Sequence, residues 1–428
     1  MGGSMRKPPV VASSECPIYG VSSLGGHHIL IAGGGGQAKS GVPNLIEVFL
    51  LEVVPAPDGA SSSLRCLKTT SFDTGALATM NIDLHLLDGQ NGESLLAAGQ
   101  EDLCRIYRAF TSVRAMGSEG GKKPPSGAPQ LLCYDLEQAK SFKSDFTDGA
   151  PGSSYQKVVR FAPSDGRFLA TGGADGKVRI WEPSEGSMDK KEEIAAHKGE
   201  VGDLDIAGDG ELLLSVGATD GACTLWTYNS TDGAKKAADV QFSPPEGGEQ
   251  KFKIRAARFT RLGSRSCIYL TAAVPVHRST KGQRSFLALW VYNAKLGTNR
   301  PCLSKMACQD TLSCLALSGD TLTTAIGTLS GAVGLFETED LSPLRWIPDT
   351  HGIFVTGVAF LPPADWGPGS VGFALAADYR TSILSVAADK TIQVHHVPWK
   401  KGKPFSLFLL QTAFCLLLLT LLLRYAGL

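Results

Sequence analysis

From Val158 to Trp181 the chain reads VVRFAPSDGRFLATGGADGKVRIW: a strand, a Ser-Asp-Gly turn, a strand ending in Ala-Thr-Gly-Gly, an Ala-Asp-Gly turn, and a strand closing on Trp. Segments of the same make recur along the sequence. Before it lie HILIAGG (28–34) with NLIEVFLLEV (44–53), and SLLAAGQEDLCRIYR (94–108). After it come a unit opening at His197, CIYLTAAV (267–274) with SFLALWVYN (285–293), TLTTAIGTLSGAVGLFE (321–337), and THGIFVTGVAF (350–360) with ILSVAADKTIQVHHV (383–397). Short apolar strands joined by tight glycine turns, repeated at a steady interval, restrict the chain to an all-β repeat whose units bury their faces on one another. Glycine supports this, at 49 of 428 residues, because turns of this type need backbone conformations that other residues resist.

The unit at 158 resembles a WD repeat, one blade of a β-propeller, and seven units imply a seven-bladed ring. The next unit carries the fuller pattern, with His197 before its first strand, Ser215 in the second, Asp220 in a Thr-Asp-Gly turn and Trp226 in the third. Ser, His and Asp together also suggest hydrolysis. The repeat context and the missing G-x-S-x-G elbow make the four a structural hydrogen-bonded relay instead. Two stretches, Pro55 to Ser63 and Met116 to Pro129, are polar and rich in Gly, Pro and Ser, and read as surface loops. An open ring would leave an edge strand unpaired, so the strand near Pro17 to Ser22 is expected to complete the last blade.

Phe405 to Leu423 is a run of nineteen residues without a charge, ten of them leucine. As a helix it would be about 28 Å long, close to the thickness of a bilayer's hydrocarbon core and suited to a thin membrane such as the endoplasmic reticulum. Lys400, Lys401 and Lys403 precede it and Arg424 follows, which by the positive-inside bias places the N-terminal part in the cytosol. The expected organisation is a cytosolic propeller over 1–398, a basic linker over 399–404, a transmembrane helix over 405–423 and a lumenal tail over 424–428. Met1 to Ser14 has no apolar stretch of the signal-peptide kind.

Basic and acidic residues balance at 41 each, so net charge offers no argument for nucleic-acid binding. Arg255, Arg258, Arg261 and Arg265 are the nearest thing to a basic patch, and a solvated edge is the expected reading. The ten cysteines are scattered, without C-x-x-C spacing. Reduced thiols and no zinc site are expected.

One segment departs from blade sequence: Gly33, Gly34, Gly35 and Gly36, then Gln37, Ala38, Lys39, Ser40, Gly41, Val42, Pro43 and Asn44. Four glycines at a strand end argue for a special backbone path. A phosphate-binding loop fails because Ala38 replaces its second glycine, and Gly41 and Pro43 break the helix that should follow. A dinucleotide-binding loop fails for the same want of a helix. The segment GGGGQAKSGVPN, with seven blades, the THGIFVTGVAF blade and one C-terminal span, resembles the prolactin regulatory element-binding protein family. Its members are endoplasmic-reticulum guanine nucleotide exchange factors for the Sar GTPase of the COPII coat. The resemblance implies that the loop projects from the first blade, contacts the GTPase over Gly33 to Pro43, and is ordered by a potassium ion held by main-chain carbonyls between Gly33 and Asn44. It also implies that Asn44 is the asparagine needed for exchange. Lys39 is expected to be solvated.

Other readings keep the fold. An inert platform that assists export of particular membrane cargo is one; the asparagine spacing favours exchange over it. A nuclear DNA-binding role lacks a helix-turn-helix, zinc finger or basic helix, and a hydrolase lacks a converging nucleophile and base beyond the relay.

Overall fold

The computed structural model describes residues 9–399, apart from 38–40, 57–60, 89–91, 116–128, 150–151, 248–249, 261–266, 278–282, 363–366 and 368. Seven four-stranded antiparallel sheets make the seven blades. After β1 (Val10–Ser13), the first blade holds β2 (Ile18–Leu24), β3 (His28–Gly33), β4 (Leu45–Pro55) and β5 (Ser62–Asp73). The second is β6 (Asn81–Asp88), β7 (Glu93–Gln100), β8 (Leu103–Ala115) and β9 (Gln130–Lys143), and the third is β10 (Gln156–Phe161), β11 (Leu169–Gly173), β12 (Lys177–Pro183) and β13 (Met188–Ala195). The fourth comprises β14 (Val201–Ile206), β15 (Leu212–Gly217), β16 (Cys223–Asn229) and β17 (Gly233–Val240); the fifth, β18 (Phe252–Thr260), β19 (Cys267–Pro275), β20 (Ser285–Asn293) and β21 (Thr298–Cys308). The sixth is β22 (Leu312–Leu317), β23 (Thr323–Thr328), β24 (Val333–Glu337) and β25 (Pro343–Ile347); the seventh has β26 (Val355–Phe360), β27 (Tyr379–Ala387) and β28 (Thr391–Pro398).

The fourth strand of the seventh blade is β1, which pairs with β28 through Ala12 and Ile392 and through Ser13 and Thr391. This corrects the expectation that Pro17 to Ser22 closes the ring: Ile18–Leu24 is the inner strand of the first blade, paired with β3. Both segments are short and strand-like, and only the ring closure distinguishes them. The Pro55 to Ser63 loop is also shorter than expected, since Pro55 pairs with Ser62 at the end of a long β4–β5 hairpin. Met116 to Ala128 and the apolar run 405–423 lie outside the described residues. Among the described residues no helix is long and apolar enough to cross a membrane.

The core lies between blades. Ile18, Ile29 and Phe49 of the first blade pack with Leu384, Val386 and Ile392 of the seventh. Leu214, Val216 and Leu225 of the fourth meet Ile254, Tyr269 and Phe286 of the fifth in the same way. Each such side chain contributes on the order of 1.5–3 kcal/mol by leaving water, so no blade is stable without its neighbours. A short helix, α1 (Val371–Leu375), is capped by Ser370, whose Oγ accepts from the Phe373 N–H. It covers the joint between the first and last blades, adding Val371 and Leu375 to their shared core.

Candidate functional site

The glycine segment joins β3 to β4, the middle strands of the first blade. Gly33 still belongs to the sheet, pairing with Ile18 on one side and Leu45 on the other. Its backbone passes so near Pro17 that a Cβ would stand 1.8 Å from that carbonyl oxygen. Gly34 then donates its N–H to Pro17 at 3.1 Å. Gly34 has φ +150° and Gly36 φ +71°, so the chain enters the loop through conformations that favour glycine. Gly41 leaves it at φ +72°. Ala38, Lys39 and Ser40 lie outside the described residues, while Gly35, Gln37, Val42 and Pro43 complete the described rim of the loop.

Asn44 closes the base. Only 6% exposed, it accepts the Gly36 N–H on Oδ1 at 2.9 Å and donates from Nδ2 to the Gly75 carbonyl at 2.8 Å. Its own carbonyl accepts the Thr74 N–H at 3.0 Å. The Thr74 hydroxyl donates to Leu77 at 2.8 Å, which steadies the connection between the first and second blades against which Asn44 rests. The amide is therefore spent inside the protein. Its geometry is that of a staple linking the glycine turn to the 74–77 connection. Gln37 makes a second tie, donating to Glu101 Oε2 at 2.8 Å across to the turn after β7. Nothing in the sequence signals Gly75 or Glu101 as partners, because the contacts span 31 and 64 residues.

No group of three His, Cys, Asp or Glu suited to a metal stands among the described residues. Among the described residues, the oxygen atoms of the glycine turn itself are main-chain carbonyls and the Asn44 amide, with the Glu101 carboxylate bonded to Gln37 beside them.

The relay residues come together as expected. His197 Nε2 and Trp226 Nε1 both lie 2.9 Å from Ser215 Oγ, and His197 Nδ1 is 3.4 Å from Asp220 Oδ2. The indole only donates, so the hydroxyl donates its own hydrogen bond to His197 Nε2, while His197 Nδ1 faces the Asp220 carboxylate at ion-pair distance without a hydrogen bond among the described residues. Ser215 is wholly buried, which leaves its hydroxyl no access to a substrate. Burial holds His197 below its usual range against the pull of Asp220.

A second relay in the seventh blade was not anticipated. Ser385 Oγ lies 2.8 Å from Nε2 of both His351 and His395, while His351 Nδ1 meets Asp389 at 3.1 Å. His395 stands where the other blade has tryptophan, and its Nδ1 has no hydrogen-bond partner among the described residues. The available signal was His351 in THGIFVTGVAF and Asp389 in an Ala-Asp-Lys turn, obscured by the 34 residues between His351 and Ser385 against 18 in the fourth blade. Arg255 and Arg258 do not form a solvated edge. Both line the central channel, and Arg261 and Arg265 lie outside the described residues.

The model of the WD domain, G-beta repeat matches residues 155–182, the first three strands of the third blade. Over 420 residues the chain is 29% identical to the mouse (Mus musculus) protein named guanine nucleotide-exchange factor SEC12, covering 93% of this chain and 92% of that protein. The rat (Rattus norvegicus) protein of the same name gives the same identity and coverage. Protein HIR1 of Yarrowia lipolytica is 36% identical over 158 residues, which is 32% of this chain and 14% of that protein; a likeness of that extent concerns the repeat alone.

Proposed function

We propose that this chain, alike through 93% of its length to the SEC12 exchange factors of mouse and rat, is a guanine nucleotide exchange factor that acts through the glycine loop of its first blade. The observation that carries the reading is the likeness over 93% of this chain and 92% of those proteins rather than over a single repeat, since a shared propeller says nothing of activity. The loop supplies the means. An exchange factor needs only to bind the nucleotide-free GTPase more tightly than the GDP-bound form. A strand-end loop held at both sides, by Asn44 and by the Gln37–Glu101 contact, loses less entropy on docking than a free one.

Asn44 acts here as a positioning residue. Its side chain holds Gly36 to Gly75, and the loop tip it presents meets the switch region of the GTPase. The GTPase is of the Sar type, and the setting is the endoplasmic-reticulum membrane, with the 405–423 run as anchor and the propeller in the cytosol. Loading that GTPase with GTP starts COPII assembly and export toward the Golgi. Potassium, held by main-chain carbonyls within Gly33 to Asn44, would let those carbonyls crowd together with little mutual repulsion. Its binding is checked independently of exchange by whether potassium, but not lithium, raises the thermal midpoint of the parent protein and leaves that of a Gly34→Ala variant unmoved.

The deciding experiment follows release of a fluorescent GDP analogue from the Sar GTPase by the full chain in liposomes. Acceleration by the parent that falls to the spontaneous rate with Asn44→Ala supports the reading. A parent that accelerates nothing returns the chain to an anchored scaffold for export of particular cargo.

A further inference from the structure

In six of the seven blades the inner strand carries a one-residue bulge at the same level. The register shifts fall between Ile18 and Gly20, Gln156 and Val158, and Val201 and Asp203. The other three fall between Ile254 and Ala256, Leu312 and Cys314, and Val355 and Gly357. A bulge re-aims the extra residue, and the six extra residues, Tyr19, Lys157, Gly202, Arg255, Ser313 and Thr356, all line the central channel, a cavity of about 900 Å³. They form a ring just inside its mouth. The mouth opens on the face of the glycine loop, because Ile18, beside Tyr19, pairs with Gly33 at the base of that loop. Glu101, which holds Gln37, also accepts the Gln156 N–H at 2.5 Å, next to Lys157.

Three members of this ring are occupied by their own contacts. Ser313 donates to the Val355 carbonyl at 2.6 Å and Thr356 to the Ile18 carbonyl at 2.7 Å. Lys157 pairs with Glu200 at 3.0 Å. Arg255 is different: half-buried, it has no hydrogen bond or ion pair among the described residues. Deeper in the channel the Arg160 and Arg258 guanidinium groups share the single carboxylate of Asp203. Asp83 and Asp205 cap the N–H groups of Phe161 and Phe259, both at 2.7 Å, and so tie neighbouring inner strands together. A half-buried guanidinium without a counter-charge, at the mouth of an open channel, is a site for an incoming carboxylate.

We propose that Arg255 receives an acidic side chain of the GTPase, inserted into the channel mouth while the glycine loop engages the nucleotide-binding face. The inference rests on the exchange-factor reading and adds a second anchor to it, one that sets affinity and partner choice. A charge at such a rim steers encounter and specificity more than it alters the bound chemistry.

The test measures exchange by the full chain in liposomes as a function of GTPase concentration and of salt, together with direct binding of the nucleotide-free GTPase. Arg255→Glu should raise the half-saturating GTPase concentration about tenfold, with the maximal rate changed by less than about twofold and a shallower salt dependence. Arg255→Lys should stay near the parent. Arg255→Gln, which removes the charge at nearly the same size, should fall between them and serves if the Glu variant has a lowered thermal midpoint. A Glu or Gln variant that overlays the parent in half-saturation and salt dependence overturns the channel assignment while leaving exchange intact. A parent without exchange activity instead defeats the reading beneath it, and GTPase binding that still depends on Arg255 would then keep the channel as a docking site.

Discussion

At the scale of residues, two glycines of the loop separate space from conformation. A Cβ on Gly34 would stand 2.1 Å from Asn44 Oδ1, at φ +150°, so alanine there must displace the staple. Gly36 has φ +71° but nothing within 4 Å of a Cβ, and alanine there meets only the backbone penalty, about 1 kcal/mol. Gly34→Ala is expected to remove exchange nearly as fully as Asn44→Ala, and Gly36→Ala to retain most of it, in the GDP-release assay. Equal losses would mean that the backbone at Gly36 tolerates alanine no better than the staple does. Asn44→Ala also leaves the Gly36 N–H and Gly75 carbonyl without partners, at a cost of about 1–3 kcal/mol in a denaturant titration. The propeller outlasts that loss because its core lies elsewhere. The position of Asn44, eight residues after Gly36, was legible in the sequence; its burial was not, since the 74–77 connection that covers it is distant in the chain.

At the scale of elements, the two relays fasten an outer loop to the middle strands of a blade. Ser385→Ala strands Nε2 of both His351 and His395 inside the seventh blade, and should lower stability by about 1–3 kcal/mol. Ser215→Ala should do likewise in the fourth blade, with exchange per folded molecule unchanged in both. A loss of exchange beyond the folded fraction would give the relays a role in the site. The relays also belong to a set of buried imidazoles that shape acid stability. Burial pushes His28 and His396 down to about 4 and His395 to about 3. An unfolded chain takes these protons near 6.5, before the folded one does, so stability falls as pH drops from about 6.5 toward 4. Asp205 opposes this: burial raises it to about 6, so the folded state gains protons, and stability, as pH falls from about 6 to 4. His197 and His351 are lowered as well and Asp83 is raised, so five imidazoles against two carboxyls predict a lower urea midpoint at pH 5 than at pH 7. A midpoint that rises on acidification would place the balance with the channel carboxyls instead.

At the scale of the whole molecule, the ring is closed by its first strand. Ser14 follows β1, donates its N–H to the Lys390 carbonyl at 2.9 Å and hydrogen-bonds through its hydroxyl to Glu47 of the first blade. Glu47 is 1% exposed and paired with Lys68 at 3.1 Å. One short segment thus spans the seam between the first and last blades. Removing residues 1–15 would expose the edge of β28 and leave Glu47 short of a partner. Such a truncation should melt at a lower temperature and over a broader range than the parent in calorimetry, with aggregation on heating. A melt identical to the parent's would show that the core shared by the two blades closes the ring unaided.

The all-β repeat, the seven units, the residues of the fourth-blade relay and the place of the glycine loop were determined by the sequence itself. Each rests on local chemistry: turns that need glycine or aspartate, strands that need branched and aromatic side chains, and spacings of a few residues. Which N-terminal strand closes the ring, how Asn44 is buried against Gly75, the second relay with its long insertion, and the bulge that leaves Arg255 at the channel mouth were decided by tertiary structure alone. All four depend on contacts between segments far apart in the chain, whose partners are chosen by the closing of the ring and carry no mark in the residues on either side.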